Sequence, residues 1–493
     1  LPGDTMDVDG TLLVRMTNAL KVPVFDTIWV ETQYFWVPDR LLWDKWRQFM
    51  GERYPDPDSS IDYTIPQVVA HASNGWTSGS LGDYFDIRPG IPSLSTSALP
   101  FRAYNKIWND WYRHQWLQDS VAENFTSDGP DAETDYVLLK RGKFHDYLTT
   151  CLPEPQRGDA VEVSLTGEAP ITGLGPIGQS YSSGASNPAY ETDGTGSVTY
   201  TNYTISVSGP TQIAVEEDPN NTGFPNVRAN LAAAGAISIN DLRESFQLQR
   251  FLEKDARGGT RYTEIIRNHF QVNNPDLAHR PEYLGGRKTP LYIHATEQTG
   301  ESGTTPQGNL AGYATAISNR EGYTKSFTEH GYVLGLMSIR SVLTHQYGLE
   351  RHWSRLTRYD FYWDVFSHLG EQEVLKKEIY VQDPTTDTGS TGTPDNDRVF
   401  GYIPRYDEYR YEKSQLSGLM RSDATGAIDE WNLAEEYSDP GPDLNAQFIE
   451  SNSPIDRISA VPSEPQFIFD AFFRTNATRP MPMHSVPGLI DHF

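Results

Sequence analysis

The sequence predicts an all-β-dominated protein with long loop insertions and several helices. Three observations lead there. Segments such as Thr5–Arg15 and Ile28–Val37 alternate or concentrate apolar and aromatic side chains as strands do, with turn-forming residues between them. Aromatic rings, which favour strands and interfaces, are plentiful: 11 Trp, 27 Tyr and 21 Phe in 493 residues. No repeat of about 20 to 50 residues runs along the chain, which disfavours a propeller or a solenoid.

Composition narrows the function classes. A hydrophobic share of 37% and a mean hydropathy of −0.56 are low for a self-sufficient globule, and suit a chain stabilised partly by neighbouring copies. The net charge is −26, from 66 acidic and 40 basic residues, so charge alone does not make the whole molecule a nucleic-acid binder. Nucleic-acid contact would need a local basic face or a separate basic partner. A single cysteine, Cys151, excludes an intrachain disulfide, fits a reducing cytoplasm and reads as a small buried residue. There is no run of about 18 apolar residues to span a membrane, and the N-terminus does not resemble a signal peptide.

Along the chain, Thr5–Arg15 reads as a strand with Asp9-Gly10 as a turn or bulge, and Ile28–Val37 as a strand buried on both faces and stopped by Pro38. Asp39 is placed to cap a helical segment holding Leu42, Trp43, Trp46 and Phe49. A helix is expected from Phe101 to about Leu117, with Tyr104, Ile107, Trp108 and Trp111 on a packing face. Residues 159–236 are rich in Gly, Ser, Thr, Pro and Asn, with eight acidic residues against one basic, Arg228, and a short strand signal at Val198–Val207. Such a stretch is an exposed excursion. Ser238–Phe270 is the most strongly helical piece: Ser238 and Asp241 suit an N-terminus, Gly258-Gly259 break it, and Thr260 can cap a second helix. Its Asp255-Ala-Arg-Gly-Gly-Thr-Arg segment can offer two arginines to a phosphate, but lacks Walker or dinucleotide spacing, so a packed helix-turn-helix clip is the preferred reading. Leu291–Ala295, Tyr332–Ile339 and Phe467–Phe473 read as strands, and the Pro-rich tail from Pro480 as a segment lying across a surface.

Chemical sites are weakly signalled. Twelve histidines include no His-Glu-x-x-His or other zinc spacing, and Gly-x-Ser-x-Gly is absent. No catalytic residue, metal ligand or cofactor is assigned. An acidic, aromatic-rich β-protein also suits a carbohydrate-active β-sandwich, either a glycoside hydrolase working through two carboxylates or a lectin-like module. Arg351, Trp353, Arg355 and Arg358 combine cations with rings in a manner suited to single-stranded DNA; salt bridging at an interface is the alternative.

Several motifs carry a resemblance: Leu1-Pro-Gly-Asp-Thr, Phe35-Trp-Val-Pro-Asp-Arg-Leu-Leu-Trp, Leu99-Pro-Phe-Arg-Ala-Tyr-Asn, Cys151-Leu-Pro-Glu-Pro-Gln, Arg280-Pro-Glu-Tyr-Leu-Gly-Gly, Glu329-His-Gly-Tyr and Arg479-Pro-Met-Pro-Met-His-Ser-Val-Pro-Gly-Leu-Ile-Asp-His-Phe. With Ser238–Phe270 they span nearly the whole chain, which resembles the major capsid proteins of gokushovirus-like microviruses. The resemblance implies one domain over residues 1–493, an eight-stranded antiparallel viral jelly roll. It also implies the subunit of a T=1 icosahedral bacteriophage capsid around a circular single-stranded DNA genome, assembled in the bacterial cytoplasm. Expected partners are further copies of the chain, the DNA, scaffolding, pilot and small basic DNA-packaging proteins, and a host cell-surface receptor. Residues 159–236 become the insertion that builds a protrusion, with Tyr181, Tyr190, Tyr200 and Tyr203 as host-contact candidates. The 480–493 tail becomes an interface element through His484, Pro487, Gly488, Leu489 and Phe493. Relatives continue upstream of Leu-Pro-Gly-Asp-Thr, so an N-terminal arm is expected.

Overall fold

The computed structural model describes residues 1–53, 63–161, 171–172, 228–229, 239–272, 279–300, 307–385, 387 and 394–481. In chain order the strands are β1 (Thr5–Met16), β2 (Ile28–Pro38), β3 (Gln67–Val69), β4 (Ser95–Ser97), β5 (Asp131–Ala132), β6 (Ile171–Thr172), β7 (Arg228–Ala229), β8 (Glu282–Glu297), β9 (Leu310–Ser326), β10 (Gly331–Ser341), β11 (Glu371–Leu375), β12 (Val399–Pro404) and β13 (Phe467–Thr478). The helices are α1 (Trp46–Phe49), α2 (Leu81–Tyr84), α3 (Leu99–Ile107), α4 (Ile239–Gly258), α5 (Tyr262–Phe270), α6 (Ala446–Ile449) and α7 (Ile455–Ile458). Two compact units result, residues 1–157 with 253–493, and residues 158–252. The second holds the β6–β7 pair and α4 up to Leu252. The Val198–Val207 strand signal lies outside the described residues.

The first unit is organised by one antiparallel sheet in the order β10-β2-β8-β9-β1-β13. The sheet curls because β8 changes partner midway, pairing with β2 through Leu291 and with β9 from Tyr292 onward. Register shifts at Gly10/Thr11 and at Tyr34/Phe35 add local twist. The first meets the expectation from Asp9-Gly10. Beside the second, Gly286 of β8, paired with Gln33, lies so close to β2 that a Cβ there would stand 2.1 Å from the Thr32 carbonyl oxygen.

Alternation in β1 sends Leu12, Val14 and Met16 into a core with Ile28, Val30, Leu291, Ala314 and Ala316. The other part of β2 supplies Phe35 and Val37, which pack against Leu42, Trp43 and the α3 residues Leu99, Ala103 and Ile107. The adjoining face of α3 presents Phe101 and Tyr104 to Val68, Trp76 and Tyr136. A separate cluster joins Tyr147, Leu148 and buried Cys151 to Val374, Phe400 and Phe448.

Several expectations are corrected. The Phe101–Leu117 helix is shorter and starts earlier, at Leu99, where Pro100 suits the first turn. It passes into a single π turn, Trp108–Tyr112, where the Asn109 amide is committed to the Val121 backbone at 2.9 and 3.0 Å. Asp39 makes no side-chain cap; a 3-10 turn, Asp39–Leu41, and then α1 replace the continuous helix. The Thr260 hydroxyl donates to the Gln115 side chain, and α5 is capped by the Arg261–Glu264 pair. The longest strand, β9, carries no clear strand pattern in its sequence. Its inward positions are the small Gly312, Ala314, Ala316 and Ser318, while Tyr313 and Ile317 face outward, so the hydrophobic alternation is inverted in amplitude.

Candidate functional site

The distinguishing chemistry of the surface is unburied apolar side chain. β13 bonds along its whole length to β1, and its other edge has no partner among the described residues. Neighbouring side chains of a strand point to opposite faces; here Phe469 (48%), Phe472 (70%) and Phe473 (46%) are exposed on both. A bare, aromatic edge strand pairs or aggregates unless something covers it. A second patch lies on the 3-10 turns Arg351–Ser354, Arg358–Asp360 and Asp364–Phe366, where Leu356, Phe361, Trp363, Val365 and Leu369 are exposed. The α4 stripe anticipated as packed is also open, with Phe246 and Phe251 exposed and Ala256 the buried residue of that helix. Surfaces of this kind bury themselves against other chains.

The four residues nominated for DNA contact lie together on the second patch. Arg351 reaches Glu378 at 3.1 Å and, at 3.9 Å, Glu408, which Arg355 approaches at 3.6 Å. The Arg355 guanidinium also stacks over Tyr409. Arg358 lies over the Tyr359 ring, 4.7 Å from its centre, and Trp353 is 70% exposed beside His352. Two of the three arginines are therefore matched with carboxylates, while Trp353 and Arg358 face solvent. The tyrosines at 181, 190, 200 and 203, and His484, Pro487, Gly488, Leu489 and Phe493, lie outside the described residues.

Folding also builds a basic cleft of about 750 Å³. The Trp108–Tyr112 turn and its continuation to Trp116 form one wall, the Arg141–His145 loop another, and the α4–α5 junction a third; β10 contributes Arg340. Arg113, Arg141, Lys143, Arg257, Arg261, Arg267 and Arg340 line it, against one carboxylate, Glu264. Glu31 of β2 ion-pairs with both Arg141 and Arg340 and approaches Lys288 at 3.5 Å. Burial pushes the Glu31 carboxyl up, but Arg141, then Arg340 and Lys288, outweigh it and hold the group below the ordinary carboxylate range. Burial, with His145 and Arg261 nearby, lowers the His114 imidazole to about 4. Two basic stretches of the sequence meet in this cleft, Lys140-Arg-Gly-Lys143 and the arginine pair Arg257 and Arg261, the latter read from sequence as a packed clip. Arg113, Arg267 and Arg340 are scattered and form no such stretch.

The sequence pattern of the family described as Capsid protein (F protein) matches residues 1–489. Capsid protein VP1 of Chlamydia phage 1 is 39% identical over 548 residues, covering 99% of this chain and 91% of that protein. VP1 of Bdellovibrio phage phiMH2K is 42% identical and VP1 of Spiroplasma virus 4 is 33% identical, with 100% and 99% of this chain covered and 91% and 90% of theirs. The chain belongs to the phage capsid protein (F protein) family. The resemblance to gokushovirus-like microvirus capsid proteins is thereby established along the whole chain. A capsid protein is a structural component of the virion, repeated in a multi-subunit shell, so family membership favours the structural role over the carbohydrate-active alternative.

Proposed function

We propose that the chain is the repeating subunit of a T=1 icosahedral bacteriophage capsid enclosing a circular single-stranded DNA genome. The observation that carries this reading is the amount of aromatic surface left open on a single capsid-family chain, above all along β13. Closed symmetry is the physical mechanism: repeated head-to-tail contacts around rotation axes bury that surface and end growth when the ring of rotations closes. The curled six-stranded sheet is taken as the body of the eight-stranded jelly roll that the family resemblance implies.

Residues 159–236 are assigned to an outward protrusion, with Tyr181, Tyr190, Tyr200 and Tyr203 as receptor contacts. Their acidic composition supports that orientation, since a polyanionic genome repels it. His484, Pro487, Gly488, Leu489 and Phe493 are assigned to a neighbouring subunit's surface. Arg351, Trp353, Arg355 and Arg358 are assigned to the genome, with the solvent-facing pair Trp353 and Arg358 as its first contacts. Scaffolding, pilot and small basic DNA-packaging proteins complete the assembly, which takes place in the bacterial cytoplasm.

Negative-stain electron microscopy of purified particles, with nuclease-protected DNA assayed in the same fraction, tests the reading. Uniform icosahedral particles holding single-stranded DNA are expected. A stable monomer that forms no particles with its viral partners present would overturn it.

A further inference from the structure

Of the seven cations lining the basic cleft, Lys143, Arg257 and Arg261 pair with Glu435, Glu371 and Glu264, which leaves four arginines facing one further carboxylate. Arg141 and Arg340 share the single carboxylate Glu31. Arg113 bonds to the Gln118 carbonyl oxygen at 3.0 Å, and neither Arg113 nor Arg267 has a carboxylate partner among the described residues. Arg340 is only 7% exposed, yet its Nε has no acceptor; the buried Nε atoms of Arg113 and Arg261 also lack one. An unmet buried donor costs about 1–3 kcal/mol, and more when charged. These three buried donors raise the positive potential of the cleft, and the half-buried Arg113 and exposed Arg267 are the groups a ligand with anionic oxygens can meet.

The choice of side chain narrows the ligand. Six of the seven cations are arginines, whose planar forks match phosphate oxygens in pairs. Trp111 is already covered by Arg280, and Phe144 by Lys288 and Arg340. Trp116, a half-buried lining residue, has no ring or cation partner among the described residues and can stack on a base. Cationic grooves interleaved with free rings are how single strands are held without sequence preference. A net charge of −26 leaves such a recess as a place where a polyanion can approach.

Resting on the capsid reading above, we propose that this cleft is a genome-binding site that takes a phosphodiester segment of single-stranded nucleic acid. Arg113 and Arg267 hold phosphates, and Trp116 stacks a base. The contact is separate in the chain from Arg351–Arg358.

Photocrosslinking of the full-length protein to a bromodeoxyuridine-substituted oligonucleotide, with mass-spectrometric mapping of the joined peptides, locates the strand without any variant. Crosslinks within residues 111–116 and 257–268 are expected; crosslinks confined to residues 351–363 would overturn the proposal. Anisotropy titrations with labelled oligo(dT) over a salt series give a second readout. Arg113→Gln with Arg267→Gln removes two phosphate contacts and should reduce the slope of log affinity against log salt by about 1.4. An unchanged slope counts against the site. Displacement of the oligonucleotide by polyglutamate of equal charge, as effectively as by unlabelled oligonucleotide, assigns the cleft to an acidic protein segment instead. If particles protect DNA while crosslinks fall elsewhere, the cleft assignment alone fails. If neither particles nor protein retain DNA, the capsid reading fails with it.

Discussion

At the scale of single residues, the sharpest energetic statement concerns Arg102. Its guanidinium grips Asp131 through two 2.8 Å bonds, the pair is almost wholly buried, and the Tyr136 hydroxyl donates to the same carboxylate. Arg102→Met would leave that carboxylate buried and uncompensated, costing about 3–5 kcal/mol; the urea unfolding midpoint of the subunit reads this directly. Adding Asp131→Asn should recover part of the loss. Asp39 behaves differently, because it is buried with one oxygen, Oδ1, unpartnered, and burial raises its carboxyl from 3.8 to about 7. Between those values the folded chain keeps a proton that the unfolded chain has released. Stability therefore falls as pH rises through that window, and the loss is complete above it. Asp39→Asn should shrink the drop in unfolding midpoint between about pH 5 and about pH 8. An equally steep drop in the variant would refute the assignment; His114 titrates in both proteins and cancels in the comparison.

At the scale of elements, the pairing of β2 with β8 depends on a missing side chain. Gly286→Ala would force a methyl into the Thr32 carbonyl and push the strands apart, a loss of about 1–3 kcal/mol visible as a lower melting temperature. β13 offers the complementary test, because Phe472 is 70% exposed in the single chain. Phe472→Asp should leave subunit unfolding within about 0.5 kcal/mol of the parent. Assembly should nevertheless weaken about tenfold or more, roughly 1.4 kcal/mol per contact, seen as loss of particles by size-exclusion chromatography. Normal particle yield would remove β13 from the interface. The same element shows what the sequence could and could not convey. Phe467–Phe473 was readable as a strand from its aromatic run, but its position at an open sheet edge was not, because edge and centre are properties of partners. β9 escaped detection for the opposite reason: its inward residues are small, and the volume they leave is filled by β1 and Leu20 rather than by their own side chains.

For the whole molecule, the division into two compact units bears on how the chain tolerates change. Deleting residues 173–226 is expected to leave the residue 1–157 and 253–493 unit soluble while impairing host attachment, measured by far-UV circular dichroism and by adsorption of particles to cells. Loss of soluble protein would mean that the excursion belongs to the core. Truncation before Pro487 is expected to block particle formation more than folding, and normal particles would deny the tail its interface role.

The sequence by itself determined the β-rich class, the strands near both ends of the chain, the helix break at Gly258-Gly259, the bulge at Gly10 and, through motifs spread over the chain, the capsid family. These are local or cumulative properties: periodicity, turn chemistry and composition are written in consecutive residues. Only the tertiary structure decided which apolar residues stay uncovered, that β8 serves two partners, and that arginines as far apart in the chain as Arg113, Arg267 and Arg340 line one cleft. Burial and electrostatic convergence depend on which distant segments meet, and that is fixed by long-range strand pairing rather than by any single stretch of sequence.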